Sequence, residues 1–157
     1  MRNELILGLS QAGTDCFVPE VIVRKNLTKY LLNDFDTNQF NSTTSSELPT
    51  LPTSTLALIA HPPNEDDVTG GRFFDQLDSL LQASMANVDS GLHHRVVVAI
   101  GPEGGWDEEE VVMFEKKGFR RVMLGNRILR TDIAVSVALG LAHEWVDTRL
   151  NNPNSIE

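Results

Sequence analysis

The sequence is short of several things, and each shortage excludes something. It has one cysteine, Cys16, so no disulfide can close within the chain, and a reducing compartment is the expected setting. No apolar run approaches the length of a membrane span. Met1 to Ser10 lack the basic start and long apolar centre of a signal peptide. Histidines number four. His93 and His94 are adjacent and would point to opposite faces of a strand, and His61 and His143 lie far off, so no metal site is expected. Basic residues are also scarce: 13 against 22 acidic ones, for a net charge of -9. Taken alone, that balance argues against nucleic-acid binding, because phosphate contacts need Lys and Arg.

What is present modifies the last point. Six of the 13 basic residues fall between Lys116 and Arg130 (Lys116, Lys117, Arg120, Arg121, Arg127, Arg130), with no Asp or Glu among them. The four from Lys116 to Arg121 read equally as a solvated helix end with a strand edge, or as a contact surface for an anion. The bulk figures are those of a soluble globular protein, 41% hydrophobic and 22% charged, and 157 residues suit one domain.

Along the chain, residues 3–12 have the spacing of a helix tail, and residues 16–23 are short and β-branched, as in a strand. Asn26 can cap a short helix to Phe35, with Leu27, Tyr30, Leu31 and Leu32 on its apolar side. Residues 36–52, rich in Ser, Thr and Asn, read as a flexible loop. Leu56 to Ala60 is a strand-length apolar run ended by His61, Pro62 and Pro63. Phe73 to Met85 has helical spacing. Arg95 to Ile100 is apolar on both faces, the pattern of a buried parallel strand. Asp107 and Glu110 form a capping box for a helix that Gly118 ends, with Val111, Val112 and Phe114 as its apolar contacts. Phe119 to Leu124 is the next strand. Thr131 or Asp132 can cap a last helix whose apolar face holds Ala134, Val135, Ala138, Leu141, Ala142 and Trp145. Residues 151–157 form a polar tail. Strands alternating with helices predict an α/β domain with a mainly parallel sheet and helices on both faces. Ligands in such sheets bind at the carboxyl ends of strands. Three loops fall there: His61–Pro63, Gly101–Trp106 and Gly125–Thr131.

Two of these loops invite a ligand. The three glycines of GPEGG let backbone approach a bound group closely, whereas a plain strand-to-helix turn needs one at most. Neither a P-loop nor a dinucleotide fingerprint is present. In LGNRILRT, Ile128 and Leu129 lie in a loop between Arg127 and Arg130. Apolar loop side chains either plug the core or wall a pocket for a flat ligand, and the arginines can bind phosphate or stack on a base.

IGPEGGW, a capped acidic helix and then KKGFRRVMLGNRILRTDIAVSVAL together resemble the carboxyl-terminal signature of the RsmE family. Upstream, QAGTDCFVPEV and LALIAHP resemble the family more weakly. The resemblance implies an S-adenosylmethionine-dependent methyltransferase of the SPOUT superfamily, with a C-terminal deep trefoil knot, that methylates uridine N3 in small-subunit ribosomal RNA. It implies cofactor contacts at Ala60, His61, Ile100, Gly101, Gly104, Gly105, Leu124, Gly125, Ile128, Leu129, Thr131 and Ala134. Arg127 and Arg130 would be the catalytic, substrate-side residues, and Glu103 would orient the loop or touch the substrate. Ribosomal RNA is the expected partner, a homodimer the expected assembly, and the cytoplasm the expected location, or an organelle in a eukaryote. Against the family pattern, residues 1–150 correspond to a partial methyltransferase domain, without the PUA-like barrel or the first strand and helix. The alternatives are a non-catalytic cofactor-binding or dimerisation fragment of such an enzyme, or an unrelated nucleotide-binding α/β domain.

Overall fold

In the computed structural model, residues 21–35, 53–62, 70–85 and 93–151 are described. The expected helix tail at 3–12, the loop at 36–52 and most of the terminal tail lie outside them. The described chain runs α1 (Leu27–Lys29, continued by a π-helical turn at Tyr30–Asp34), β1 (Thr53–Ala60), β2 (Gly71–Arg72), α2 (Phe73–Met85), β3 (His93–Ile100), α3 (Glu108–Lys116), β4 (Arg120–Met123) and α4 (Thr131–Val146). A second π-helical turn, Asp147–Asn151, follows α4.

The four strands form one parallel sheet in the order β2-β4-β1-β3. β1 pairs with β3 along its whole length, from Thr53 opposite His93 to Ala60 opposite Ile100. Alternation along β1 then sorts the core into two layers. Ala57 and Ile59 pack with Leu31, Phe35, Val111, Phe114 and Phe119, under α1 and α3. Leu56 and Leu58 pack with Phe73, Leu77, Val122 and Trp145, under α2 and α4. Helices therefore cover both faces, as an apolar strand requires.

Chain direction also follows from this layering. From β3 the chain crosses on the α3 face to β4, which inserts between β1 and β2, two strands that precede it in sequence. The chain then returns as α4 to the opposite face. The three loops after β1, β3 and β4 thus meet at one end of the sheet.

Local expectations mostly hold, with exceptions. The run Arg95–Ile100, expected to be buried, forms β3 as a parallel strand, but it lies at the end of the described sheet and is half-buried throughout, because among the described strands only β1 pairs with it. Asn26 caps α1, its side chain accepting from the Lys29 amide at 2.8 Å. Leu31 is buried there, but Leu32 is 61% exposed and points away from the core. Both halves of the capping box at Asp107 and Glu110 form. The described part of residues 16–23 is no strand: Val21, Ile22 and Val23 are exposed and unladdered. In α4, Ala134, Ala138 and Trp145 are buried while Val135 is 40% exposed. Neither Thr131 nor Asp132 caps α4. Arg130 holds the cap position without a side-chain bond, because the Thr131 hydroxyl is used elsewhere.

Trp145 ties α4 to α2. Its indole donates to Asp78 at 2.7 Å, and Arg149 donates to both oxygens of the same carboxylate. Burial pulls the Asp78 carboxyl up, but the hydrogen bonds from Arg149 and Trp145 and the Arg149 charge outweigh it, leaving it below its ordinary value of 3.8. A depressed carboxylate stabilises the fold fully above its unfolded value and loses that contribution as pH falls through the folded value. Acid titration followed by tryptophan fluorescence should therefore show α4 loosening below about pH 4, with Asp78→Asn removing that component.

Candidate active site at the carboxyl ends of the strands

β1 ends at Ala60 and hands over to His61, whose backbone N–H donates to the Val122 carbonyl at 3.1 Å, extending the ladder to β4 by one bond. β3 ends at Ile100, and the chain turns through Gly101–Trp106 with the Gly105 amide bonded to the Pro102 carbonyl at 2.9 Å. Gly105 has φ 79°, a left-handed conformation that a side chain would strain. β4 ends at Met123, and Leu124–Arg130 lead into α4.

The loops are bonded to one another. The Trp106 indole donates to the Ala60 carbonyl at 3.2 Å, joining the second loop to the end of β1. The Thr131 hydroxyl donates to the Gly101 carbonyl at 3.0 Å, joining α4 to the second loop. Trp106 also packs edge-on against Phe114, with ring centroids 5.0 Å apart. Gly101 lies so close to the indole that a Cβ there would come within 3.2 Å of two ring atoms. Cross-bonded loops hold a cleft in shape before a ligand arrives, which lowers the ordering cost of binding.

That cleft is lined by Ala60, His61 and Pro62 from the first loop, by Ile100, Gly101, Pro102, Glu103, Gly105 and Trp106 from the second, and by Leu124, Gly125, Arg127, Ile128, Leu129, Thr131 and Ala134 from the third and the start of α4. Of the positions read from the sequence as cofactor contacts, all but Gly104 fall on its wall. Gly104 sits in the same turn with open space beside its Cα. Arg127 lines the cleft and Arg130 does not. The Arg130 side chain is 75% exposed and pairs with Asp132 at 3.2 Å. Ile128, 84% exposed, forms rim rather than core, so of the two roles open to an apolar loop residue it takes the wall. The sequence reading omitted Pro62, Pro102 and Trp106. An aromatic residue directly after a glycine pair was the signal for the last.

Between Lys116 and Arg121, the structure resolves part of the basic run. Arg121 is held by Glu115 at 2.7 Å and Glu108 at 3.0 Å, and Arg120 donates to Ser79. Those two arginines tie down α3 and α2. Among the described residues there is no cluster of three metal-binding side chains, and no helix is long and apolar enough to cross a membrane.

The model of the RNA methyltransferase domain family matches residues 5–143. The chain belongs to the RNA methyltransferase domain family. The resemblance carried by the GPEGGW and LGNRILRT loops is thereby borne out. Among curated relatives of this methyltransferase domain, ribosomal RNA small subunit methyltransferase E of Synechocystis is 50% identical over 50 residues, covering 32% of this chain and 16% of the relative. The protein of the same name from Treponema pallidum is 46% identical over 52 residues, covering 31% and 20%. A solved structure of ribosomal RNA small subunit methyltransferase E from Neisseria gonorrhoeae, bound to S-adenosyl methionine, superposes with a TM-score of 0.54 at 21% identity. That superposition covers 92% of this chain and 46% of the other. The methyltransferase domain described here thus spans less than half the length of its solved relative.

Proposed function

We propose that this domain binds S-adenosylmethionine in the three-loop cleft and methylates small-subunit ribosomal RNA at uridine N3. The observation that carries the reading is the cross-bonding of the three loops around one cleft that has apolar walls and, among the described residues, a single cationic side chain, Arg127. The residues present fit that cofactor. Ala60, Ile100, Leu124, Leu129 and Ala134 offer apolar walls to a flat adenine. The open space beside Gly105 and Gly125 lets backbone groups approach its polar edge, as no side chain stands in the way. When bound, the cofactor supplies a methyl group already activated on a sulfonium.

The chain's own share is positioning and charge. Arg127 sits on the substrate side and favours the uracil anion as N3 loses its proton. Arg130, on the same loop but outside the cleft, is free of the cofactor wall and suits a phosphate or a base face. The target base must reach the cleft by flipping or from a loop. The insertion of β4 between two earlier strands supports reading the three-loop end as the family's trefoil knot.

A homodimer is part of the same reading. Val135 and Leu139, four residues apart on α4, are 40% and 58% exposed, and Ile133 and the rim residue Ile128 add to the apolar surface beside the cleft. Leu139→Lys should shift the chain from dimer to monomer in sedimentation at micromolar concentration. An unchanged dimer would remove α4 from the interface.

The function is tested by incubating the chain with labelled S-adenosylmethionine and small-subunit ribosomal RNA, and then digesting the RNA to nucleosides. Labelled 3-methyluridine is expected. A folded chain that binds the cofactor but leaves the RNA unlabelled would overturn the methylation reading and leave cofactor binding alone.

A further inference from the structure

We propose that His61 is the proton acceptor in methyl transfer, through its Nε2. The proposal rests on the function just given. His61 is anchored twice. Its backbone N–H is bonded to Val122, and its ring Nδ1 lies 2.8 Å from the Pro62 carbonyl oxygen. A carbonyl oxygen carries no hydrogen, so the hydrogen in that contact belongs to Nδ1. In a neutral imidazole only one nitrogen is protonated, and Nε2 is left with its lone pair. The backbone thus selects a tautomer with an acceptor on a residue that lines the cleft.

Among the described residues, the other charged groups lining the cleft are Arg127 and Glu103. A guanidinium stays protonated and cannot accept. Glu103 is exposed at the outer turn of GPEGG. In the step, the bond from N3 to the methyl carbon forms as the bond from that carbon to sulfur breaks, and sulfur keeps the electron pair. The N3 proton passes to His61 Nε2. The positive charge lost at sulfur appears on the imidazolium, which then releases its proton to water.

The test combines the intact wild-type chain with His61→Asn. The asparagine amide can still donate to the Pro62 carbonyl but offers nothing at the position of Nε2. Turnover on RNA should fall by about 10²–10⁴-fold, far more than S-adenosylhomocysteine affinity falls on trimming this cleft-wall side chain, and the rise of rate with pH assigned to the base should vanish. Long-range proton–nitrogen correlation spectra of the wild-type His61 ring should show hydrogen on Nδ1, a readout independent of activity and of whether the variant folds. Hydrogen on Nε2, or near wild-type turnover by His61→Asn, overturns the role of His61 and leaves the methyltransferase reading intact. A wild-type chain that methylates no RNA overturns that reading and this proposal together.

Discussion

Arg127→Ala is expected to lower turnover on RNA by about 10²–10³-fold, with S-adenosylhomocysteine affinity changed by no more than a few fold. The reason is position. Arg127 is the one cationic side chain on the cleft wall among the described residues, while the surfaces assigned to the cofactor are apolar side chains and backbone. A charge placed to stabilise an anion that develops during reaction contributes to the rate and little to ground-state binding. Arg127→Lys should recover only part of the loss, since an ammonium keeps the charge and loses the planar fork. The check is single-turnover kinetics beside calorimetry on the same preparation. Near-normal turnover by Arg127→Ala would remove the arginine from the chemistry. Equal losses in turnover and affinity would move it to the cofactor.

Trp145→Ala should be the most damaging single truncation in the described core, costing about 3–5 kcal/mol in chemical denaturation. The indole is fully buried between α2 and the sheet, among Leu56, Leu58, Phe73, Leu77 and Val122, and it donates to Asp78. The consequence reaches the cleft, because α4 carries Thr131 and Ala134 on its first turns. Once α4 loosens, the bond from Thr131 to Gly101 goes with it, and the second loop loses one of its two ties. Trp145→Phe should cost less, as it keeps most of the apolar contact and Arg149 still satisfies Asp78. A variant as stable as the wild type would mean that α4 is not held by this contact.

Much of this was legible from residue patterns. The apolar runs that became β1 and β3, the periodicity of Phe73–Met85 and the capping box at Asp107 are local signals, and local signals survived. The glycine loop and the Arg-Ile-Leu-Arg loop were legible for a different reason: side chains there do not suit the structural job of a turn. What was hidden is tertiary. β2 has two residues, too few to show a period. The order β2-β4-β1-β3 depends on which apolar faces meet, and no single segment encodes that. Thr131 has the composition of a helix cap, yet its hydroxyl bonds a carbonyl 30 residues away, and Leu32 follows helical spacing outward because Leu31 and Phe35 already fill the space over the sheet. Arg120 and Arg121 carried two readings in the sequence, and acidic and hydroxyl partners brought in by folding decided between them.

The central claim is that the three loops form a working cofactor site within this chain. Calorimetric titration of the purified chain with S-adenosylhomocysteine tests it most directly. Saturable binding with micromolar affinity and about one ligand per chain is expected, competed by S-adenosylmethionine and not by ATP or NAD. A folded chain that takes up no S-adenosylhomocysteine, or that prefers ATP or NAD, would contradict it.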